Sequence, residues 1–390
     1  MEPNCLPTFT LHTVRKVVFG WGEIAALPRE VGALGRRVLL VTGWRSLQAS
    51  GRLGAIRTSL AEAGLQSECF EGVEPEPSTG TVERAREQAL AFGAEALVGI
   101  GGGSSLDVAR AAAGLLRDDL PVADRLAVAG EPAREVGLIL CPTTSGTGSE
   151  ATMTTVLTDH ARGIKSSLRH PTWLADVALV DPELTVTAPP AVTAATGLDA
   201  LVQALESYVS RGANPATDAL AEEAARLLFE SLETAWRDGE CRWAREKASL
   251  GSLLAGMALS NARLGLVHGL AHPVGVRTKA AHGLVCAVLL EAVLTFNRSA
   301  CEEKLARLSR RLGLSSHDAP DAMAADALVA RTLALRRTLG VTQGLSDLGL
   351  DLDDLGAVAR ESLSSGSTKA NPRPVSASDA LAVLRAAFEG

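Results

Sequence analysis

A chain of 390 residues is long enough for two domains with cores of their own. A formal net charge of −7 argues against nucleic acid or an anionic membrane as partner, and the share of hydrophobic (46%) and charged (21%) residues is that of an ordinary globular protein. Six cysteines (Cys5, Cys69, Cys141, Cys241, Cys286 and Cys301) show neither CxxC pairs nor regular spacing and read as buried thiols of a reducing compartment. Met1 to Thr8 lacks the basic and apolar regions of a signal peptide, and no apolar run reaches about 18 residues, so the expected location is cytoplasmic.

Residues 8–19 alternate loosely and predict a strand or hairpin, followed by a short helix from Glu23 to Leu34. Arg37–Thr42 is an apolar run that fits a parallel strand buried on both faces, with Gly43-Trp44-Arg45 as the turn after it. A helix to about Gly64 and a strand near Ser67–Phe70 come next, and the prolines of Gly72–Thr79 stop regular structure. A helix over 82–92, a strand Ala96–Ile100, a glycine turn and a helix to about Leu116 precede a strand Glu135–Leu140. Strand and helix alternate throughout, the pattern of a parallel α/β sheet. Two short β-like pieces (151–158 and 164–168) and a last strand Val177–Val180 lead to Pro189-Pro190, after which the periodicity is helical to the end. The expected organisation is an α/β dinucleotide-binding domain over 1–188 and an all-helical domain over 189–390, with a cleft between them.

Three stretches carry chemistry. Gly101-Gly-Gly-Ser-Ser105 lies between a strand and a helix, where bare backbone and free N–H groups suit a phosphate. It is not the Gly-x-Gly-x-x-Gly fingerprint. Asp107 either caps that helix or reaches a cofactor ribose. Thr143-Thr-Ser-Gly-Thr-Gly148 is a second loop of hydroxyls and glycines at a strand end, where open parallel sheets bind ligands. In the helical half, Asp199 and Gln203 stand i,i+4 on one helix, His268 and His272 repeat that spacing on another, and His282 follows ten residues on. Carboxylate, amide and imidazoles together suit a metal-centred or acid–base site.

With these motifs in hand, the chain resembles the iron-containing, group III alcohol dehydrogenases over nearly its whole length. Gly101-Gly-Gly-Ser-Ser-Leu-Asp-Val-Ala-Arg110 is similar to the family's phosphate turn, and Pro142-Thr-Thr-Ser-Gly-Thr-Gly-Ser-Glu150 to its nicotinamide-side loop. Val180-Asp-Pro-Glu-Leu184, Thr196-Gly-Leu-Asp-Ala-Leu201, His268-Gly-Leu-Ala-His-Pro-Val-Gly275, His282-Gly283 and Asn371-Pro-Arg-Pro374 match its other signatures. The resemblance implies a fold related to dehydroquinate synthase and hydride transfer between NADP or NAD and a small alcohol or aldehyde. It implies a divalent ion, Fe2+ or Zn2+, and a homo-oligomer, expected to be a dimer. Asp199, His268 and His282 fall on three of the four metal ligands, and His272 on a histidine that lines the site as a proton relay. Gly102, Gly103, Ser104, Asp107, Thr143, Thr144, Thr147 and Lys165 fall on cofactor contacts.

The sequence departs from the pattern in places. Gln203 replaces the histidine that is the fourth ligand, so metal binds more weakly with the Gln203 oxygen or a water in that position, changes identity or is dispensed with. Ala281 replaces a proline, and Glu76, in Pro75-Glu-Pro-Ser78, stands where an uncharged amide is typical. Gly43 replaces the aspartate that grips the adenosine ribose of NAD, and Arg45 either pairs with a 2′-phosphate or is a solvated charge. NADP is therefore expected to be accepted. Three other readings compete: a maleylacetate reductase-like enzyme, a metal-free variant, and a nucleotide-binding relative without catalysis.

Overall fold

The computed structural model describes residues 7–43, 46–128 and 130–389. Eight strands are formed: β1 (Val17–Phe19), β2 (Arg37–Gly43), β3 (Gln66–Val73), β4 (Ala96–Gly101), β5 (Gly137–Pro142), β6 (Thr154–Asp159), β7 (Ile164–Arg169) and β8 (Val177–Val180). Six make one parallel sheet in the order β1-β8-β5-β4-β2-β3, and β6 and β7 form an antiparallel hairpin beside it. Helices α1 (Leu27–Gly32), α2 (Ser46–Ala49), α3 (Arg52–Glu62), α4 (Thr79–Phe92), α5 (Gly103–Gly114) and α6 (Val122–Arg125) connect the strands.

The apolar strand runs divide between two cores with the two-residue period of a pleated strand. Leu39, Val41, Leu97, Leu138 and Leu140 face α4 and α5, while Val38, Leu40, Val98, Ile100, Ile139 and Cys141 face α1 and α3. The chain runs outward from β2 to β3, then returns across β2 to continue through β4 and β5. The sheet therefore reverses direction between β2 and β4, and the carboxyl ends of those strands are where an open parallel sheet takes its ligand.

The expected strand or hairpin over 8–19 is a correction. Only Val17–Phe19 pairs, against β8 at the sheet edge. The helix expected after the turn at 43–45, to about Gly64, is broken at Gly51, whose φ of +71° a continuous helix cannot hold.

From Pro190 the chain is helical: α7 (Pro190–Val209), α8 (Pro215–Arg237), α9 (Arg242–Ala262), α10 (Leu266–Thr278), α11 (His282–Asn297), α12 (Glu302–Arg311), α13 (Asp321–Thr338), α14 (Leu355–Ser362), α15 (Gly366–Ala370) and α16 (Ala377–Ala386). Pro190 is the first residue of α7, where its missing N–H leaves no bond unmade. α7 is buried on every side from Gly197 to Tyr208 and is the axis of the half. By length and composition, His282–Ala300 is apolar enough to cross a membrane, but Val285–Leu290 and Val293 sit in the helical core around α7. It is a central core helix of the kind that passes such a test.

α9 seals the two halves together. Its Gly256 lies so close to Gly148 that a Cβ there would stand 2.8 Å from the Gly148 Cα. Ser249 and Ser145 share a hydroxyl hydrogen bond of 2.9 Å, Arg169 donates to the Ser260 carbonyl at 2.7 Å, and Asn261 exchanges two hydrogen bonds with the His12 backbone. The chain then bends by 100° between α9 and α10, with Arg263 at a φ of +66°. This bend lays α10 across the mouth of the sheet, next to β7.

Candidate active site

Asp199, Gln203 and Glu206 follow one another at i, i+4 and i+7 on α7, so all three lie on one face. Two helix starts are brought against it. The first amides of α10 are capped from outside the helix: Leu266 N–H donates to Asn371 Oδ1 at 3.1 Å and Val267 N–H to Glu206 Oε1 at 2.7 Å. Asn371 also exchanges hydrogen bonds with Asn297, which gives the Asn-Pro-Arg-Pro segment a structural purpose. α11 begins at His282, and a Cβ on the next residue, Gly283, would run into the Ala195 carbonyl. Only glycine allows α11 to approach α7 this closely.

The result is a buried cluster. His268 Nδ1 meets Glu206 Oε2 at 2.7 Å, and His268 Nε2 lies 3.3 Å from Asp199 Oδ1. His282 Nε2 is 4.0 Å from the same Asp199 oxygen, and Cys286 Sγ is 3.6 Å from His282 Nε2. The His272 ring stacks on His282 at 5.6 Å. Gln203 donates its amide to Asp199 Oδ2 at 3.0 Å. Asp199 Oδ1, His268 Nε2 and Gln203 Oε1 are buried without a hydrogen-bond partner. Unsatisfied buried acceptors and an imidazole edge converging on one carboxylate fit a cation, which would satisfy them together.

Electrostatics sorts the histidines. Burial works to lower His268, but the Cys286 sulfur and the Asp199 and Glu206 carboxylates hold its imidazole well above its ordinary value. Burial would raise Asp199, yet His268 and His282 keep its carboxyl below the usual range. For His272, burial and the positive neighbours His282, Lys165 and His268 all act in one direction and hold it well below its ordinary value. His272 is thus a neutral imidazole at pH 7, with Nδ1 free of any hydrogen bond. Two histidines four residues apart with opposite shifts are suited to different tasks.

On the sheet side, Gly43 ends β2 and Gly101 ends β4, with Gly102 as the N-cap of α5. A Cβ on Gly103 would stand 2.7 Å from Thr147 Cγ2, one on Gly102 3.7 Å from Thr144 Oγ1, and one on Gly43 3.6 Å from Ser105 Oγ. The loop after β5 therefore lies against the opening turn of α5 at the carboxyl end of the sheet. Thr143 N–H donates to the Gly101 carbonyl at 2.9 Å, and Ser104 is half-buried on the first turn of α5. Arg45 lies outside the described residues.

Asp107 is engaged within the chain. Its Oδ1 accepts from Arg110 at 2.8 Å and Ser149 Oγ at 2.7 Å, and its Oδ2 from Val156 N–H at 2.9 Å. Beside a fully buried Arg110, it ties α5 to the loop and to β6. Lys165, on β7, is nearly buried and pairs with Glu76. Glu76 has a φ of +56°, in the left-handed region where asparagine is much at home and glutamate is not. The backbone thereby accounts for the amide that the resemblance leads one to expect there.

Sequence reasoning missed two residues of this cluster, Glu206 and Cys286. Both carried a signal: Glu206 continues the Asp199–Gln203 face at i+7, and Cys286 stands i+4 from His282.

The family model described as iron-containing alcohol dehydrogenase matches residues 14–182, and the C-terminal model of the same family matches residues 193–388. The chain is 37% identical to long-chain-alcohol dehydrogenase 1 of Geobacillus thermodenitrificans, over 97% of this chain and 98% of that one. Among solved structures, a 1,3-propanediol oxidoreductase is 33% identical with a TM-score of 0.94, covering 98% of this chain and all of that one. A sulfoacetaldehyde reductase from Bifidobacterium kashiwanohense, solved in complex with NAD+, is 27% identical with a TM-score of 0.89, covering 98% of this chain and 99% of that one.

Proposed function

The chain belongs to the iron-containing alcohol dehydrogenase family, whose members move a hydride between NAD(P) and an alcohol or aldehyde with a divalent metal, and from that premise we propose which of its residues do so. The observation that carries the reading is the set of unpartnered buried atoms on Asp199 and His268, with His282 beside them. Asp199, His268 and His282 would hold the ion, with the Gln203 amide nitrogen bound to Asp199. The ion supplies Lewis acidity that stabilises negative charge on the substrate oxygen.

The other roles fall to the chain itself. Glu206 holds a proton on His268 Nδ1 and so keeps Nε2 turned toward Asp199, where the ion would displace the Nε2 proton. His272, neutral and stacked on His282, accepts the alcohol proton during oxidation and returns it during reduction. Gly102, Gly103 and Ser104 seat the pyrophosphate on the first turn of α5, and Thr143, Thr144 and Thr147 line the nicotinamide side. Lys165 sets the potential at His272 and His282 from the sheet side. Gly43 offers no carboxylate to repel a 2′-phosphate, which supports acceptance of NADP beside NAD. The five described cysteines are free thiols, which supports a cytoplasmic enzyme, and a homodimer completes the proposal.

The test is oxidation of NADPH and NADH with a panel of aldehydes, on protein whose metal content is known from elemental analysis. Activity lost with chelator, restored by Fe2+ or Zn2+ and absent in His268→Ala is the expected result. Full turnover by metal-free protein would remove the ion from the mechanism.

A further inference from the structure

The loss of a histidine at position 203 leaves the ion one imidazole short, and the structure places another donor within reach. Cys286 is fully buried, one turn along α11 from His282 and on the same face. One donor atom each from Asp199, His268, His282 and Cys286 lies within 4.8 Å of all the others. Gln203 has turned its amide nitrogen to Asp199 Oδ2, and Gln203 Oε1, Asp199 Oδ1 and His268 Nε2 are buried without a partner.

Two of the separations are those of a coordination sphere, and a third, His282 Nε2 to Asp199 Oδ1 at 4.0 Å, is wider. Metal–nitrogen and metal–oxygen bonds of about 2.0–2.1 Å at a tetrahedral angle set these donors ~3.4 Å apart, and a metal–sulfur bond of about 2.3 Å sets sulfur ~3.6 Å from nitrogen. His268 Nε2 and Asp199 Oδ1 are 3.3 Å apart, and Cys286 Sγ and His282 Nε2 are 3.6 Å apart. A thiol resting on an imidazole as a simple buried hydrogen-bond partner has no reason to share this spacing with two further unsatisfied ligand atoms.

We propose that Cys286, as thiolate, is the fourth ligand of the divalent ion, in place of the side chain at position 203. This inference rests on the reading that the site holds such an ion. Binding displaces the thiol proton to solvent and forms the metal–sulfur bond, with no change of oxidation state. Sulfur in the ligand set favours zinc or ferrous iron over hard ions such as magnesium or calcium. It also changes the charge of the centre. A dication with one carboxylate and three imidazoles keeps one positive charge, whereas exchanging an imidazole for thiolate leaves none. The ion is then a milder Lewis acid, and more of the proton handling falls to His272.

Cobalt distinguishes the possibilities without recourse to activity. Chelator-treated protein is loaded with Co2+, its content is measured by elemental analysis, and its near-ultraviolet spectrum is recorded. About one cobalt per chain with an intense sulfur-to-cobalt charge-transfer band is expected. Cys286→Ser should lose the band and bind the ion about 10–100-fold more weakly, and Gln203→Ala should keep the band. Should Cys286→Ser fail to fold, X-ray absorption on the unmodified cobalt protein must still find one sulfur neighbour. One bound cobalt without the band, or a band that survives Cys286→Ser, overturns the thiolate ligand alone. No bound cobalt overturns it together with the metal reading on which it rests.

Discussion

Replacing Glu206 with glutamine exchanges one oxygen for an amino group, yet the consequence for the metal site should be large. The two Glu206 oxygens serve two donors, Val267 N–H and His268 Nδ1–H, each at 2.7 Å. Glutamine has a single acceptor oxygen. Val267 is a helix-start amide that can only donate, so the oxygen stays there and the NH2 turns toward His268. The imidazole can meet it by giving up the Nδ1 proton and keeping the one on Nε2, which lies 3.3 Å from Asp199 Oδ1 and donates to that oxygen. Every polar group is then satisfied, but Nε2 has no lone pair for a cation. Stability of the metal-free protein should change by less than about 1 kcal/mol, since hydrogen bonds are exchanged rather than lost. Metal affinity should fall about 10–100-fold, or ~1.4–2.7 kcal/mol. Competition with a chromophoric chelator gives the affinity, and a denaturant melt in chelator gives the stability. Unchanged metal affinity in Glu206→Gln would refute the argument that Glu206 fixes the tautomer of His268.

Three other outcomes are expected. Asp107→Ala should destabilise the fold by about 3–5 kcal/mol, because Arg110 is fully buried and left without its counter-charge. If cofactor affinity fell while the denaturant midpoint held, the carboxylate would belong to the ribose after all. Burial raises Glu150 from 4.5 to about 7, so its contribution to stability is greatest below pH 4.5 and is lost as pH rises through 7. Above pH 8 the deficit is about 3 kcal/mol. Glu150→Gln should therefore gain on the parent between about pH 5 and pH 8.5 in denaturant titrations, and a constant difference would contradict the assignment. Glu76→Asn relieves a left-handed backbone at a modest gain of about 1 kcal/mol and frees the Lys165 charge. The acid limb of the pH–rate profile should then move to lower pH as His272 is held down further, and an unmoved limb would sever Lys165 from His272.

The sheet was legible because its strands are apolar runs buried on both faces, and Val177–Val180 is found with the bounds its residues suggest. Val17–Phe19 was less so, because an edge strand three residues long makes its bonds with distant β8 and not with anything nearby in sequence. In the site, helical spacing brought Asp199, Gln203, His268 and His272 into view. As an aspartate on a glycine turn Asp107 invites a ligand, while the partners it has within the chain, Ser149 and Val156, lie some forty residues away and were not legible. Arg110 at i+3 was the local hint of an ion pair. Cys286 was grouped with the other cysteines as a packing residue, although its distance from His282 is the one that marks the histidine pair on α10. Gln203 could be recognised as a departure from the sequence, but not that its amide would turn to Asp199.

Two hydrogen bonds of Asp107 have a consequence for anyone wishing to alter nucleotide preference. Its Oδ2 accepts from Val156 N–H and its carbonyl from Thr155 Oγ1, which clamps α5 to the hairpin that carries Lys165, so the glycine turn and the lysine travel as one body. That body acts as a calliper whose jaws are set before any ligand arrives. Gly43 sits on the neighbouring strand, outside the clamp. A carboxylate or a cation introduced there is free to retune the adenosine end, while the span to the reactive end stays as the clamp fixed it.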